Sequence, residues 1–135
     1  MFSLFGKDGR NYICIEFEEL CGNGHKGNVL RCKLIIVAGS LGVNFDELFI
    51  YEGEIRSFLE SINDIDNKSI TMGIFTNEDL NFTVTPTKYG HMLVEGIFKQ
   101  NNGKDYMCKF GFESDITCVE SAKSEIIKFF KEVNG

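Results

Sequence analysis

Two pairs of side chains in this sequence have the types and spacing to suggest chemistry: Cys21 with His25, and His91 with Glu95. A thiol beside an imidazole is the starting material of nucleophilic catalysis, because the ring takes the thiol proton and leaves a thiolate. The two groups must then be held within hydrogen-bond reach. The run Cys21-Gly22-Asn23-Gly24-His25-Lys26-Gly27-Asn28 gives no reason for such a fixed geometry. Its three glycines match neither the P-loop nor the dinucleotide spacing, and no helix start follows them, so the run reads as a loop between strands. His91 and Glu95 fall on one face of a strand but stand ~13 Å apart at ~3.3 Å per residue, too far to share one ion. The carboxylates Glu16, Glu18, Glu19, Asp46, Glu47, Glu52 and Glu54 are numerous enough for paired acid–base work. Their alternating placement instead describes a solvated or protein-binding face. The sequence therefore assigns no catalytic, cofactor-binding or metal-ligating residue. It describes a non-enzymatic protein, with Glu16 and Glu18 as the leading partner-binding candidates.

The elements that would position these residues are mostly strands. Residues 12–19 alternate cleanly, so Ile13, Ile15 and Phe17 point inward and Glu16 and Glu18 face solvent. Residues 29–38 alternate in the same way, Gly39-Ser40 marks a turn or bulge, and residues 41–51 read as a further strand. The period then changes. Ile55, Phe58, Leu59 and Ile62 form one helical stripe within residues 54–65, which Asn63-Asp64-Ile65-Asp66-Asn67 brings to an end.

Four strand-like runs follow, at 70–75, 80–85, 91–100 and 104–113. The breaks between them are short, and short breaks join antiparallel neighbours. The reading is a four-stranded meander whose last turn is Asn102-Gly103. In its final strand Tyr106, Cys108, Phe110 and Phe112 share a face. In the preceding one Met92, Val94 and Phe98 face one way and Leu93 and Ile97 the other, which suggests a central strand covered on both sides. Residues 115–133 close the chain as a helix. Thr117-Cys118-Val119-Glu120 fits a capping box, and Val119, Ala122, Ile126, Phe129, Phe130 and Val133 recur at helical spacing. Runs of strands rather than βαβ alternation give an α+β fold: a largely antiparallel sheet of about seven strands with one mid-chain and one C-terminal helix.

Composition sets the outer limits. The chain has 135 residues, 43% of them hydrophobic, with thirteen Phe, no Trp and one Pro. That is enough for a real core in a single domain spanning 1–135. The net charge of −6 disfavours nucleic acid, which needs basic patches to neutralise phosphates, and anionic membranes. It favours encounter with a basic protein. Five cysteines at wide spacings, with no Cys-x-x-Cys pair, argue against a disulfide framework and a thiolate zinc site. Cys14, Cys32 and Cys108 read as free thiols inside the sheet. No signal-peptide pattern and no apolar stretch near ~18 residues is visible, so the expected home is the cytoplasm.

Tyr89-Gly90-His91-Met92-Leu93-Val94-Glu95-Gly96, then Cys108-Lys109-Phe110-Gly111-Phe112-Glu113-Ser114-Asp115 and the closing helix form a pattern that resembles the WapI-like small bacterial immunity proteins. The Ile55/Phe58/Leu59 helix is similar to one in that family too. The resemblance implies a cytoplasmic, non-enzymatic protein that binds and blocks a contact-dependent toxin domain. It assigns no binding residues. The alternative from the residues themselves is a small-molecule-binding or regulatory domain with a Phe-lined pocket between sheet and helices.

Overall fold

The computed structural model describes residues 1–24, 27–65, 71–101 and 105–134. The chain runs β1 (Phe2–Phe5), β2 (Tyr12–Gly24), β3 (Gly27–Ala38), β4 (Leu41–Tyr51), α1 (Glu52–Asn63), β5 (Gly73–Thr76), β6 (Leu80–Pro86), β7 (His91–Asn101), β8 (Asp105–Asp115) and α2 (Ile116–Asn134). The fold is α+β, as the strand runs imply. Among the described residues there are eight strands rather than about seven. They form two antiparallel sheets, ordered β1-β2-β3-β4 and β5-β6-β7-β8. The division falls where α1 leaves β4, so each sheet is a meander closed by its own helix.

The inward rows come from the alternation. Ile13 and Ile15 of β2 stand opposite Ile36 and Leu34 of β3, and all four are buried. In the second sheet Val84, Val94 and Phe112 form one cross-strand row, and Phe82, Gly96 and Phe110 the next. Gly96 is demanded by that row. A Cβ there would strike the Asn81 carbonyl oxygen and the Phe110 ring. The two sheets and both helices bury their apolar faces in one cluster, where each fully buried large side chain contributes ~1.5–3 kcal/mol. An aromatic chain threads it: the Phe58 ring lies 6.2 Å from Phe2, 5.5 Å from Phe75 and 5.3 Å from Phe82, and Phe17 stacks on Phe129 at 4.1 Å.

The helices are exchanged between the halves. α1 packs on β5, and α2 packs on β1. Ser61 Oγ accepts the Ile74 amide at 2.9 Å, and Glu125 Oε1 accepts the Ser3 amide at 3.0 Å. Ser61 and Glu125 are each the tenth residue of their helix, and each amide belongs to the second residue of its strand. Each helix thus satisfies a donor on the first strand of the other half, a position that would otherwise be left unpaired. Gly73 lets α1 approach, since a Cβ there would meet Ile62 Cγ2 at 2.5 Å.

Several expectations are corrected by this packing. The glycine run is not a loop at its ends, because β2 extends to Gly24 and β3 begins at Gly27. A bulge between Leu20 and Asn23, with Gly22 at φ 103°, lets the strand absorb its glycines. Thr117 does not cap α2. The Asp115 carboxylate accepts the Cys118 amide at 2.9 Å and the Thr117 hydroxyl. Cys14 lies half-buried on the outer side of its sheet, because it alternates with the buried Ile13 and Ile15. Tyr106 is 59% exposed, although it shares a face with buried Phe110 and Phe112. Leu93 and Ile97 are half-buried, flanked in register by Thr85 and Glu113 and by Asn81 and Lys109, so β7 is central but fully covered only on its inner face. His25, the Asn102-Gly103 turn and the Asp66-Asn67 end of the helix-stop run lie outside the described residues.

Candidate functional site

The exchanged helices create two equivalent junctions, where the end of a sheet's last strand and the start of its helix meet the first hairpin of the other half. The hairpin turns differ in length. Residues 6–11 join β1 to β2, but only residues 77–79 join β5 to β6.

The longer turn closes its junction. It folds on itself through Gly6 N to Asn11 O at 2.7 Å and Gly9 N to Gly6 O at 3.0 Å, then docks on β8 with Lys7 N donating to Glu113 O at 3.0 Å. Ser114 Oγ donates to Phe5 O at 2.6 Å. Lys7 Nζ lies 3.3 Å from His91 Nε2. Asp115 sits beside this junction at the head of α2. Hydrogen bonds from Thr117 and from the Cys118 amide hold its carboxyl below the ordinary carboxylate value.

The shorter turn reaches across with one side chain. Asn77 is buried, and its Nδ2 donates to Phe49 O at 3.1 Å and to Glu54 Oε2. Its Oδ1 accepts the Asp79 amide at 3.0 Å, an Asx turn that fixes the hairpin. Glu54 Oε1 also accepts the Tyr51 amide at 3.4 Å. Phe49 and Glu113, the two carbonyls engaged, each stand three residues ahead of their helix. Around the Asn77 bridge the space stays open as a cleft of about 890 Å³. Val29, Phe49 and Tyr51 supply its apolar lining, and Phe49 is 48% exposed. Glu54, Glu78 and Asp79 bring carboxylates and Lys99 an ammonium, with Asn81 and Thr76 beside them. Lys99 N donates to Asp79 O at 2.7 Å, tying β7 to the turn. Burial and the Glu78 charge push the Asp79 carboxyl above its ordinary value, and Lys99 opposes this.

Glu16 and Glu18 stand elsewhere. Glu16 is half-buried on β2, opposite Lys33 of β3 in register. Glu18 is exposed in a bulge between Phe17 and Glu19, with Arg31 3.9 Å from Glu18 and 3.1 Å from Glu19. Two cations therefore stand among these acids. Of the remaining candidates, Glu54 lines the cleft, where it is joined by Glu78, while Glu52 accepts Arg56 at 2.8 Å and Asn28 Nδ2 at 3.1 Å. All five cysteines are free. Burial pushes the Cys32 thiol up to about 12, which makes it inert, whereas Cys21 is exposed. Among the described residues no group of three His, Cys, Asp or Glu is placed to hold a metal ion, and no helix is long and apolar enough to cross a membrane.

Sequence reasoning passed over Asn77, Asp79 and Lys99. The available signal was the contrast between a three-residue acidic turn and a six-residue glycine turn. Comparisons with protein-family models, with curated proteins and with solved structures find no match to this chain.

Proposed function

We propose that the protein is a non-enzymatic, cytoplasmic binding protein: an immunity-like inhibitor of a basic toxin domain. One observation carries this reading. Among the described residues, the open cleft joins exposed aromatic surface, at Phe49 and Tyr51, to three carboxylates and one lysine. Aromatic side chains at the centre and charges around them are the usual composition of a protein-binding patch. The overall charge of −6 steers a basic partner toward it. The resemblance to WapI-like immunity proteins points the same way. Glu16 and Glu18 serve this model as a second acidic surface, offset by Lys33 and Arg31.

The small-molecule reading finds its support in the cleft volume of about 890 Å³, which is within the range of ligand sites. It finds none in the core phenylalanines, since Phe75 and Phe82 stack on each other at 4.9 Å.

The reading predicts that a neighbouring gene encodes a basic toxin domain, and the test is to express that domain and follow its binding against ionic strength. Association is expected to slow as salt rises, because the attraction of exposed charges is screened over about 10 Å at 0.1 M. Reversing both Glu16 and Glu18 to Lys should slow it further and flatten the salt dependence. Absence of binding, or binding that strengthens with salt, overturns the reading.

A further inference from the structure

The fold builds its junction twice and closes only one copy. At the closed copy a turn of the chain itself docks on the end of β8 through Lys7 and Glu113. At the open copy the Asn77 side chain reaches the Phe49 carbonyl at the end of β4, and the Phe49 and Tyr51 side chains beside it are 48% and 37% exposed. We propose that the open cleft is a socket for an arginine or lysine side chain of the basic partner, with its aliphatic stem along Phe49 and Tyr51 and its charged head at Glu78 and Asp79. This inference rests on the binding function proposed above and names the chemistry of that same site.

The size fits. A cleft of about 890 Å³ holds a long side chain together with the backbone that carries it. The surfaces fit as well. An aromatic wall accepts both the stem and the cation of such a residue, and a carboxylate-bearing turn completes the head group's hydrogen bonds. Lys99 at the rim supplies a donor for a carbonyl of the incoming segment. The charge on Asp79 is the one a guest would relieve. Asp79 is burdened by burial and by Glu78, Lys99 relieves it in part, and the Glu54 carboxylate is turned to Asn77 and Tyr51. An incoming cation removes that burden, whereas an anion adds to it. A second copy of this chain is a poor occupant, because its own charge of −6 opposes self-association.

The probe is the peptide acetyl-Gly-Arg-Gly-amide, with its citrulline counterpart as the neutral control of the same shape. Amide resonances of the full chain are followed as each is added. The arginine peptide should shift Tyr51, Asn77, Glu78, Asp79 and Lys99, and the citrulline peptide should not. E78Q/D79N should abolish the response while leaving the rest of the spectrum in place. In binding to the toxin domain the same double variant should raise Kd by about tenfold or more, a larger loss than reversal of Glu16 and Glu18. Equal shifts from both peptides, or shifts away from the cleft, overturn the socket. Undiminished toxin binding by E78Q/D79N also overturns it and leaves the inhibitor reading standing. If the native chain fails to bind the toxin domain, the inhibitor reading falls instead, and the peptide titration still decides the socket.

Discussion

The two junctions are built from the same parts and end in opposite states. Near β8 the six-residue turn folds back and closes the gap with backbone hydrogen bonds, one donated by Lys7 to β8 and two within the turn, donated by Gly6 and Gly9. Near β4 the three-residue turn is too short to fold back, and a single buried amide side chain spans the gap. The difference teaches that loop length, a property usually read as mere punctuation, decides where a symmetric arrangement keeps a cavity. Electrostatics follow geometry. The carboxyl at the closed junction, Asp115, is stabilised in its charged form by donors at the head of α2, while the one at the open junction, Asp79, is destabilised by burial and a like charge.

The helices allow the sharpest attack on this equivalence. Phe58 and Ala122 are each the seventh residue of their helix and both are buried. Phe58 contacts Phe2, Phe75 and Phe82, so Phe58→Ala should cost ~3–5 kcal/mol, read from the denaturation midpoint. A loss under ~1 kcal/mol would mean that α1 is not anchored as described. The bridges come next. Asn77→Ala removes the buried donor to Phe49 O and Glu54 and should cost ~1–3 kcal/mol. Ser114→Ala at the closed end removes one bond to Phe5 O and should cost ~0.5–1.5 kcal/mol. Equal costs would show that the open junction is no more dependent on its single bridge than the closed one.

Asp115→Ala should cost about 1 kcal/mol through loss of the cap. Because its pKa is lowered in the fold, this stabilisation is present above the ordinary value of 3.8 and is lost as pH falls through the lower folded value. The difference between variant and native chains should therefore shrink in acid. Asp79 has the opposite sign. Its raised folded pKa means that stability falls as pH rises from 3.8 through the raised value. Asp79→Asn should raise the denaturation midpoint slightly at neutral pH and leave it unchanged well below pH 3.8. A midpoint lowered at neutral pH would show that the Asp79 charge is needed by the fold.

Much of this architecture was legible in residue spacing. Alternation at Ile13, Ile15 and Phe17 gave the inner face of β2, and the Ile55-Phe58-Ile62 stripe gave the buried face of α1, because both periods are local consequences of backbone geometry. The split into two sheets was not legible, since no local signal distinguishes β4 ending a sheet from β4 continuing into the next. The exchange of helices depends on Ser61 meeting Ile74 and Glu125 meeting Ser3, contacts that short-range pattern does not encode. Asp115 and Thr117 are both good capping residues two positions apart, and only the path of the chain out of β8 selects the first. The cleft was hidden for the same reason. Phe49 reads as one more strand residue until the turn opposite it proves too short to cover it.

The exchange of helices also governs how the chain comes into being. The amide of Ser3 waits for Glu125, 122 residues later. During synthesis the first meander emerges with its β1 edge bare, and α1 has no β5 to cover until the second meander begins to form. Contacts of such long sequence separation slow folding and leave strand edges exposed to other nascent chains. The native topology thus makes the final helix a lock on the first strand, and removing residues 116–134 should leave a chain that associates through β1 rather than a smaller folded unit.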